Sequence, residues 1–584
     1  MTGRVLLAVA AVAVAFAAAD TYVVVLALPD MMTGVGLSVD ELQRAAPIVS
    51  GFLLGYVAVL PLIGRIADLR GRVPVLVASL VVFALGSLVT AAAYDLPSMV
   101  VGRFLQGVGG GGLVPATLAL VADLYPPHRR GVPLGLVGAV QEVGSVLGPL
   151  YGALVLAVSS WHAIFAINVV AALLLAALLR SAAPSSSEEP ARGPGPEAPG
   201  RRDLPGAALL LLALAGLVLT MVQPPALTSS VSVGLAFVPV TGGSRWLAPV
   251  GLATVALWLA FLARCLTARR PLVDLRGWAR TARRADLPGA GWLALALAGV
   301  VLAFATADPE VATFSPAGPW LLAGTVVAVV LLVRHTRRAA EPLVPRGALA
   351  ARSAWGALAV SFFVGAALIA ALVDVPIFAR VTVAPASQLE AALVLVRLLV
   401  ALPVGAVLGG WATRVLPVGV VTAVGMALAA AGFVWMSTWG LTSLDGAVAT
   451  VPLVLAGLGF GLALAPVNAA LLAATEPAVH GVTSALLVVA RMVGMLVGIS
   501  ALTTIGLRRY YAVQVDLPAP SKVCSSGTQC PEYTRLLKLA GLEQLQTVFL
   551  GAACCAAVAA VLALVLLRAD TVRATLATSS TLRP

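Results

Sequence analysis

Long apolar runs alternate with short polar connections along the whole chain. A helix needs about 20 mainly apolar residues to cross a bilayer. Six such runs open the chain: Val5–Leu28, Ala45–Ile63, Val73–Ala93, Pro97–Ala122, Gly131–Val158 and Trp161–Leu179. Four more lie at Leu204–Val222, Trp246–Ala263, Leu287–Ala305 and Ala317–Val333. The last six are Ser353–Phe378, Leu389–Ala412, Pro417–Met436, Ala447–Leu472, Gly481–Ile505 and Leu542–Leu567. The pattern predicts about sixteen spans, numbered 1 to 16, in blocks of six, four and six.

The connections carry the charge. Arginines cluster at Arg65/Arg70/Arg72, Arg129/Arg130, Arg201/Arg202, Arg264–Arg284 and Arg334–Arg352, each after an even-numbered span. Positive loops stay on the cytoplasmic side, so both termini are expected there. Arg4, an alanine-rich run and Ala17-Ala18-Ala19 also match a signal peptide with a small-residue cleavage site. Against that, the apolar run continues through Val23–Leu28, and cleavage would invert the parity of the arginine loops.

Segment 181–202 is rich in Pro, Ser, Gly and Glu and reads as a flexible cytoplasmic linker. A repeat follows it. Asp203-Leu204-Pro205-Gly206-Ala207 opens span 7, and Asp286-Leu287-Pro288-Gly289-Ala290 opens span 9. The exits match too, at Pro271-Leu272-Val273 and Pro342-Leu343-Val344. Spans 7–8 and 9–10 read as a hairpin duplicated in tandem. The expected domains are an N-terminal six-helix bundle (1–180), the linker (181–202), two hairpins (203–338), a cytoplasmic connector (339–352), a C-terminal six-helix bundle (353–568) with an outer loop (506–543), and a tail (569–584). Two six-helix blocks of like orientation point to parallel repeats about an axis normal to the membrane.

Composition narrows the function. Of 584 residues, 60% are hydrophobic and 11% charged, and mean hydropathy is +1.02. A soluble domain is nearer 45–50% apolar and about 25% charged, so a soluble enzyme, a disordered chain and a disulfide scaffold are excluded. The net charge of +12 sits between the spans. It sets orientation and does not indicate nucleic acid. The only lysines, Lys522 and Lys538, form no Gly-Lys-Ser/Thr phosphate loop, which excludes ATP hydrolysis. Four scattered histidines, His128, His162, His335 and His480, offer no zinc cluster. No metal and no cofactor is expected. A membrane-embedded lipid enzyme and a non-transporting sensor are the rival classes.

Several motifs stand inside this frame. The loop after span 2 reads Gly64-Arg65-Ile66-Ala67-Asp68-Leu69-Arg70-Gly71-Arg72. Its glycines suit a tight turn, and Asp68 suits a helix N-terminus. Span 5 carries Gly144, Gly148, Pro149 and Gly152. Glycines four apart make a flat face for close packing, and the proline is expected to kink the helix. Span 4 opens with Arg103-Phe104-Leu105-Gln106-Gly107, span 6 opens with Trp161 and continues to Asn168, and span 1 contains Asp20-Thr21. Loop 223–245 shows partial alternation before Gly242-Gly243 and is expected to form a small hairpin.

In order and spacing these motifs resemble the major facilitator superfamily, specifically its fourteen-span drug:proton antiporters. The extra hairpin departs from that pattern, as does Leu69, where a basic residue is usual. Asp20-Thr21-Tyr22, Gln141-Glu142-Val143-Gly144, Leu372-Val373-Asp374 and Val489-Ala490-Arg491-Met492 look most like the mycobacterial lipid-exporting facilitators. The resemblance implies two six-helix bundles, proton-driven export of a hydrophobic small molecule or lipid such as a triacylglyceride, and work alongside a periplasmic lipoprotein. The alternative is a multidrug:proton antiporter. An inner-membrane monomer is expected.

Ionisable groups inside spans are costly and mark function. Asp20, about 22 Å into span 1 at 1.5 Å per residue, is a candidate proton carrier with Arg103 as partner. A fixed structural pair is the other reading. Glu142 needs a basic partner, and two are open. Symmetric depth favours Arg491, whereas family packing favours Arg397; a bridge between the bundles would act as a gate. Asp374 falls near the outer end of span 11, where a solvated cap is a competing reading. Cys524 and Cys530 lie six apart on the oxidising side and form a plausible disulfide.

Overall fold

The computed structural model describes residues 2–37, 42–182, 203–230, 232–305, 315–383, 388–524 and 530–567. Their sixteen long helices are α1 (Thr2–Gly34), α2 (Leu42–Arg70), α3 (Arg72–Ala91), α4 (Leu96–Leu124), α5 (Gly131–Val158), α6 (Trp161–Ala182), α7 (Leu204–Val222), α8 (Pro249–Thr267), α9 (Leu287–Ala305), α10 (Gly318–Arg338), α11 (Arg352–Thr382), α12 (Gln388–Ala412), α13 (Val418–Met436), α14 (Thr450–Ala474), α15 (His480–Val515) and α16 (Pro531–Leu566). Fifteen contain stretches long and apolar enough to cross a membrane; α5, of 28 residues, is the other. No strand occurs among the described residues. Segment 183–202 and the tail from 568 lie outside them, as does the side chain of Pro149.

Four segments differ from the sequence reading. The motif Gly64–Arg72 is not a loop. Helix α2 continues to Arg70, and only Gly71, at φ +96°, turns the chain into α3. Nothing before Gly71 forces the chain out of a helix, whereas Gly71 adopts a positive φ open to glycine at little cost. Loop 223–245 folds into a short helix, Pro225–Thr228, and 3-10 turns rather than a β-hairpin. Its alternating stretch is short and follows Pro224-Pro225, which cannot donate to a ladder. Much of the expected outer loop 506–543 is helix: α15 runs out to Val515, as Arg508-Arg509-Tyr510-Tyr511 allowed, and α16 starts at Pro531, earlier than the apolar run suggests. An ion pair of 2.6 Å between Arg509 and Glu543 ties these extensions together. Finally, a ten-residue helix, Leu275–Arg284, stands between the two hairpins.

The bundles repeat one another. In the first, α1 packs on α5, α2 on α4, α3 on α4 and α3 on α6; in the second, α11 packs on α15, α12 on α14, α13 on α14 and α13 on α16. The bundles meet along two seams, α2 with α15 and α5 with α12, which the same correspondence exchanges. Lipid tails are as apolar as leucine, so helices associate through close packing rather than hydrophobic exclusion. Glycine supplies it here. A Cβ on Gly107 or Gly457 would collide with the carbonyl of Phe52 or Leu398, and one on Gly144 or Gly494 with that of Ala15 or Phe362. These contacts set the register: Gly107 matches Gly457, Gly144 matches Gly494, and Ala15 matches Phe362.

The duplicated hairpins share one device. Asp203 caps α7 through Gly206 N (3.1 Å) and accepts from Leu272 N (3.2 Å) at the hairpin exit. Asp286 caps α9 through Gly289 N (3.0 Å) and accepts from Leu343 N (2.9 Å). One carboxylate thus closes each hairpin at its base, with Arg264 or His335 as the side-chain partner. Hairpin α7–α8 lies beside the far end of α3, where Leu217 and Met221 pack with Val89 and Ala92. Helix α9 lies along the α2–α15 seam.

Gly107→Ala should cost about 1–3 kcal/mol, as overpacking does, and lower the thermal unfolding midpoint in detergent. Gly138→Ala, where a Cβ would meet nothing within 4 Å, should leave it unchanged. Equal midpoints for the two variants would contradict the packing argument.

Candidate functional site

Five helices of the first bundle build one buried polar network. Asp20 on α1 accepts from Arg103 Nη1 on α4 at 3.0 Å and from Asn168 Nδ2 on α6. Arg103 Nη1 also donates to Gln106 Oε1 at 2.9 Å, and Gln106 Nε2 donates to Ser87 Oγ on α3 at 2.8 Å. Thr90 Oγ1 adds a bond to Gln106 Oε1 at 3.3 Å. The guanidinium lies 4.5 Å from the ring centroid of Phe52 on α2. Asp20 and Arg103 are 2% and 1% exposed, so each depends on the other. A buried charge stripped of its partner costs several kcal/mol. Arg103 Nε has no hydrogen-bond partner.

Among the described residues the second bundle has no such buried pair. By the glycine register, Asp20 corresponds to Ala367 and Arg103 to Leu453, both fully buried. The charged network is one-sided within a pseudo-symmetric frame, which is what a specialised site produces and general bundle packing does not.

Between the bundles lies a cavity of about 290 Å3. Its walls are mostly apolar, including Leu53, Leu368, Met492, Met495 and Ile499. Phe52 and Thr21 also line it, so the ring stacked on Arg103 separates the network from the cavity. Glu142 and Arg491 both face the space, and the Arg491 charge acts on Glu142. Arg397 points elsewhere and donates to Thr450 Oγ1 at 3.2 Å. In the register Arg491 corresponds to Gln141, so the two charges sit one residue apart in depth. Gly144, Gly148 and Gly152 bring α5 against Ala15, Ala19 and Val23 of α1. That contact holds Glu142 and Asp20 on adjoining helices.

The sequence profile described as Major Facilitator Superfamily matches residues 10–309. A triacylglyceride transporter of Mycolicibacterium hassiacum is 36% identical over 509 residues, covering 85% of this chain and 78% of that one. One from Mycobacterium tuberculosis is 35% identical over 531 residues, covering 88% and 85%. The chain belongs to the major facilitator superfamily. The proton:xylose symporter XylE shares the fold, with TM-score 0.52 at 14% identity, covering 97% of this chain and 96% of that one. So does the human organic anion transporter MFSD10, with TM-score 0.51 at 15% identity, covering 97% and 99%. This facilitator is therefore a multi-pass membrane transporter and not an enzyme.

The facilitator is closed at its arginine-rich face. Asp68, near the end of α2, accepts from Gly481 N (2.7 Å) and Val482 N (3.0 Å) at the start of α15, and from Arg72 Nη1 (2.5 Å). A carboxylate of one bundle thus caps a helix of the other, where a negative charge is favoured. Beside it Gly64 and Gly481 cross backbone to backbone; Gly131 and Gly410 do the same on the other seam. The register relates the two crossings. Arg70 turns away to Asp274 at 3.6 Å. On the opposite face Cys524 and Cys530 are joined by a disulfide. Asp374 is buried within α11 at 5% exposure rather than forming a solvated cap, since α11 runs on to Thr382.

The sequence reading quoted Gln106 and Asn168 inside motifs without giving them a role, and it passed over Phe52, Ser87 and Thr90. The signal was present as amide and hydroxyl side chains within apolar spans. Ser87 and Thr90 each also bond a carbonyl of their own helix, Phe83 O and Gly86 O. That habit makes hydroxyls unremarkable in a spanning segment.

A double-mutant cycle tests the network. Asp20→Leu or Arg103→Met alone should destabilise the protein by about 3–5 kcal/mol, as breaking a buried pair does. The double variant should recover most of that loss in thermal unfolding. Strictly additive losses would mean the two charges do not depend on each other.

Proposed function

We propose that this facilitator exports a triacylglyceride-like lipid from the inner membrane, driven by protons, with the arginine-rich face in the cytoplasm and both termini there. The observation that carries the reading is the one-sided Asp20–Arg103–Asn168 network, set one aromatic ring away from an apolar cavity between the bundles. A proton carrier needs a carboxylate whose ionic partner is released when it protonates, and Asp20 meets that description. The names of the relatives, triacylglyceride transporters, supply the cargo class.

In the proposed cycle, protonation of Asp20 frees Arg103 and loosens α1 against α4 and α6. The bundles then rock about the cavity, so that the Asp68 cap and the glycine crossings open and the other face closes. Glu142 and Arg491 approach and separate as the cavity changes shape and serve as an inter-bundle gate. At about 290 Å3 the cavity is at the low end of ligand pockets, about 300–1,000 Å3. A three-chain glyceride therefore requires the cavity to widen, or acyl chains to trail between helices. The extensions of α15 and α16, tied by Arg509 and Glu543, together with the disulfide-closed turn at Cys524–Cys530, offer a docking place for a periplasmic lipoprotein.

A second reading, export of small amphipathic drugs with proton antiport, is favoured by the carboxylate of Glu142 on the cavity wall, which suits a cation. Proteoliposomes carrying a pH gradient distinguish the two when loaded with fluorescent triacylglyceride or a cationic dye. Wild type should move the glyceride, and Asp20→Asn should lose gradient-driven movement tenfold or more. Movement of the dye alone would establish the drug reading. Equal transport by Asp20→Asn would remove Asp20 from the coupling.

A further inference from the structure

A second, larger cavity lies at the arginine-rich face. It measures about 830 Å3 and runs between α2, α3 and the segment that leaves the first hairpin. Its inner wall is apolar, with Ile66, Val77, Ala78, Val82 and Val108. From Arg72 to Val81 along α3 is about 13 Å at 1.5 Å per residue, so the groove reaches well into one leaflet. It shares no lining residue with the central cavity, so it is a separate site.

Its mouth is basic. Arg70 and Arg180 line it, and the helix Leu275–Arg284 closes one side through Leu275 and Trp278. Arg70 is fixed there, with its guanidinium 4.3 Å from the Trp278 ring centroid and 3.4 Å from Thr281 Oγ1. The same helix carries Arg276, Arg280, Arg283 and Arg284, all exposed. Residues spaced three and four apart share one helix face, so these four form a stripe on the face turned away from Leu275 and Trp278, outside the groove itself. The one carboxylate among the described residues lining the mouth, Asp274, is engaged by Gly277 N at 2.8 Å and by Arg70 at 3.6 Å. A basic stripe on an amphipathic helix at a membrane surface attracts anionic lipid headgroups.

We propose that this groove holds a phospholipid with an anionic headgroup, its acyl chain along α3 and its phosphate between Arg70 and Arg180. Two features select that occupant over bulk zwitterionic lipid. The groove is apolar within the leaflet and ends at the guanidiniums of Arg70 and Arg180 at headgroup level, and Asp274, the one acid among its described lining residues, is already paired. The bound lipid would pin the segment between the duplicated hairpins to the bundle. This inference requires only that the chain lies in a membrane, so it stands or falls independently of transport.

Native mass spectrometry of the purified chain, delipidated and titrated with phosphatidylglycerol or phosphatidylcholine, tests it. Wild type should retain phosphatidylglycerol at least tenfold more strongly. Arg180→Gln should remove most of that preference while leaving the unfolding midpoint in zwitterionic detergent unchanged, because its side chain is exposed. Ala78→Trp, which fills the groove and spares Arg70 and Arg180, should also release the lipid. Equal retention of the two lipids by wild type would overturn the proposal. Undiminished phosphatidylglycerol binding in either variant would overturn it as well. Displacement by soluble glycerol phosphate as effective as by the whole lipid would show that the headgroup alone binds and that the groove does not.

Discussion

Backbone-to-backbone contact at glycine is the constraint on which the rest of this structure depends. Helices in a bilayer gain little from excluding lipid, so they must touch closely to associate. Here the same contacts occur twice, Gly107 on Phe52 and Gly457 on Leu398, Gly144 on Ala15 and Gly494 on Phe362. They fix helix order within each bundle and bring the bundles into register. They also seal one face, through Gly64 with Gly481 and Gly131 with Gly410. A flat crossing of this kind can slide apart without leaving a cavity of broken side-chain packing. That property suits a seam that opens and closes.

Onto this symmetric frame the chain places charge asymmetrically. The first bundle holds Asp20 and Arg103 where the second holds Ala367 and Leu453. Each charge is buried and satisfied by the other and by amides from α4 and α6. Such a pair contributes little to net stability, since desolvation offsets most of the attraction. On the proposed reading, the pair is there for what happens when one partner is neutralised. The Asp68 cap on α15 and the network at Asp20 lie on different helices of one bundle, so a shift of α1 can reach the seam through α5 and α2.

Much of the fold was legible in the sequence because burial in lipid leaves a strong imprint. Runs of some twenty apolar residues have few alternatives, and the parity of arginine clusters orients them. The duplicated hairpin was legible because Asp203 and Asp286 both cap a helix and close a loop, so the surrounding Leu-Pro-Gly is retained in both copies. Asp20 and Arg103 stood out as charges in apolar spans. What was not legible depended on lateral packing. Whether Glu142 faces Arg491 or Arg397 turns on how α5 packs on α12 and α14 and faces α15 across the cavity, which hydropathy does not encode. The helical end of α2 was read as a loop because its polar residues resembled a connection. The helix Leu275–Arg284 was read only as charge, because ten residues are too few for a span and its arginines hid the Leu275–Trp278 face.

The central claim is that the buried charge of Asp20 holds the arginine-rich face closed. Pulsed dipolar spectroscopy in nanodiscs tests it most directly, with spin labels at Leu69→Cys and Glu476→Cys, both exposed beside the Asp68 cap, after Cys265, Cys554 and Cys555 are replaced by alanine. The account predicts one short-distance population in the otherwise wild-type chain, and a second, longer one when Asp20→Asn is added. A single distance distribution that is the same with and without Asp20→Asn would contradict it.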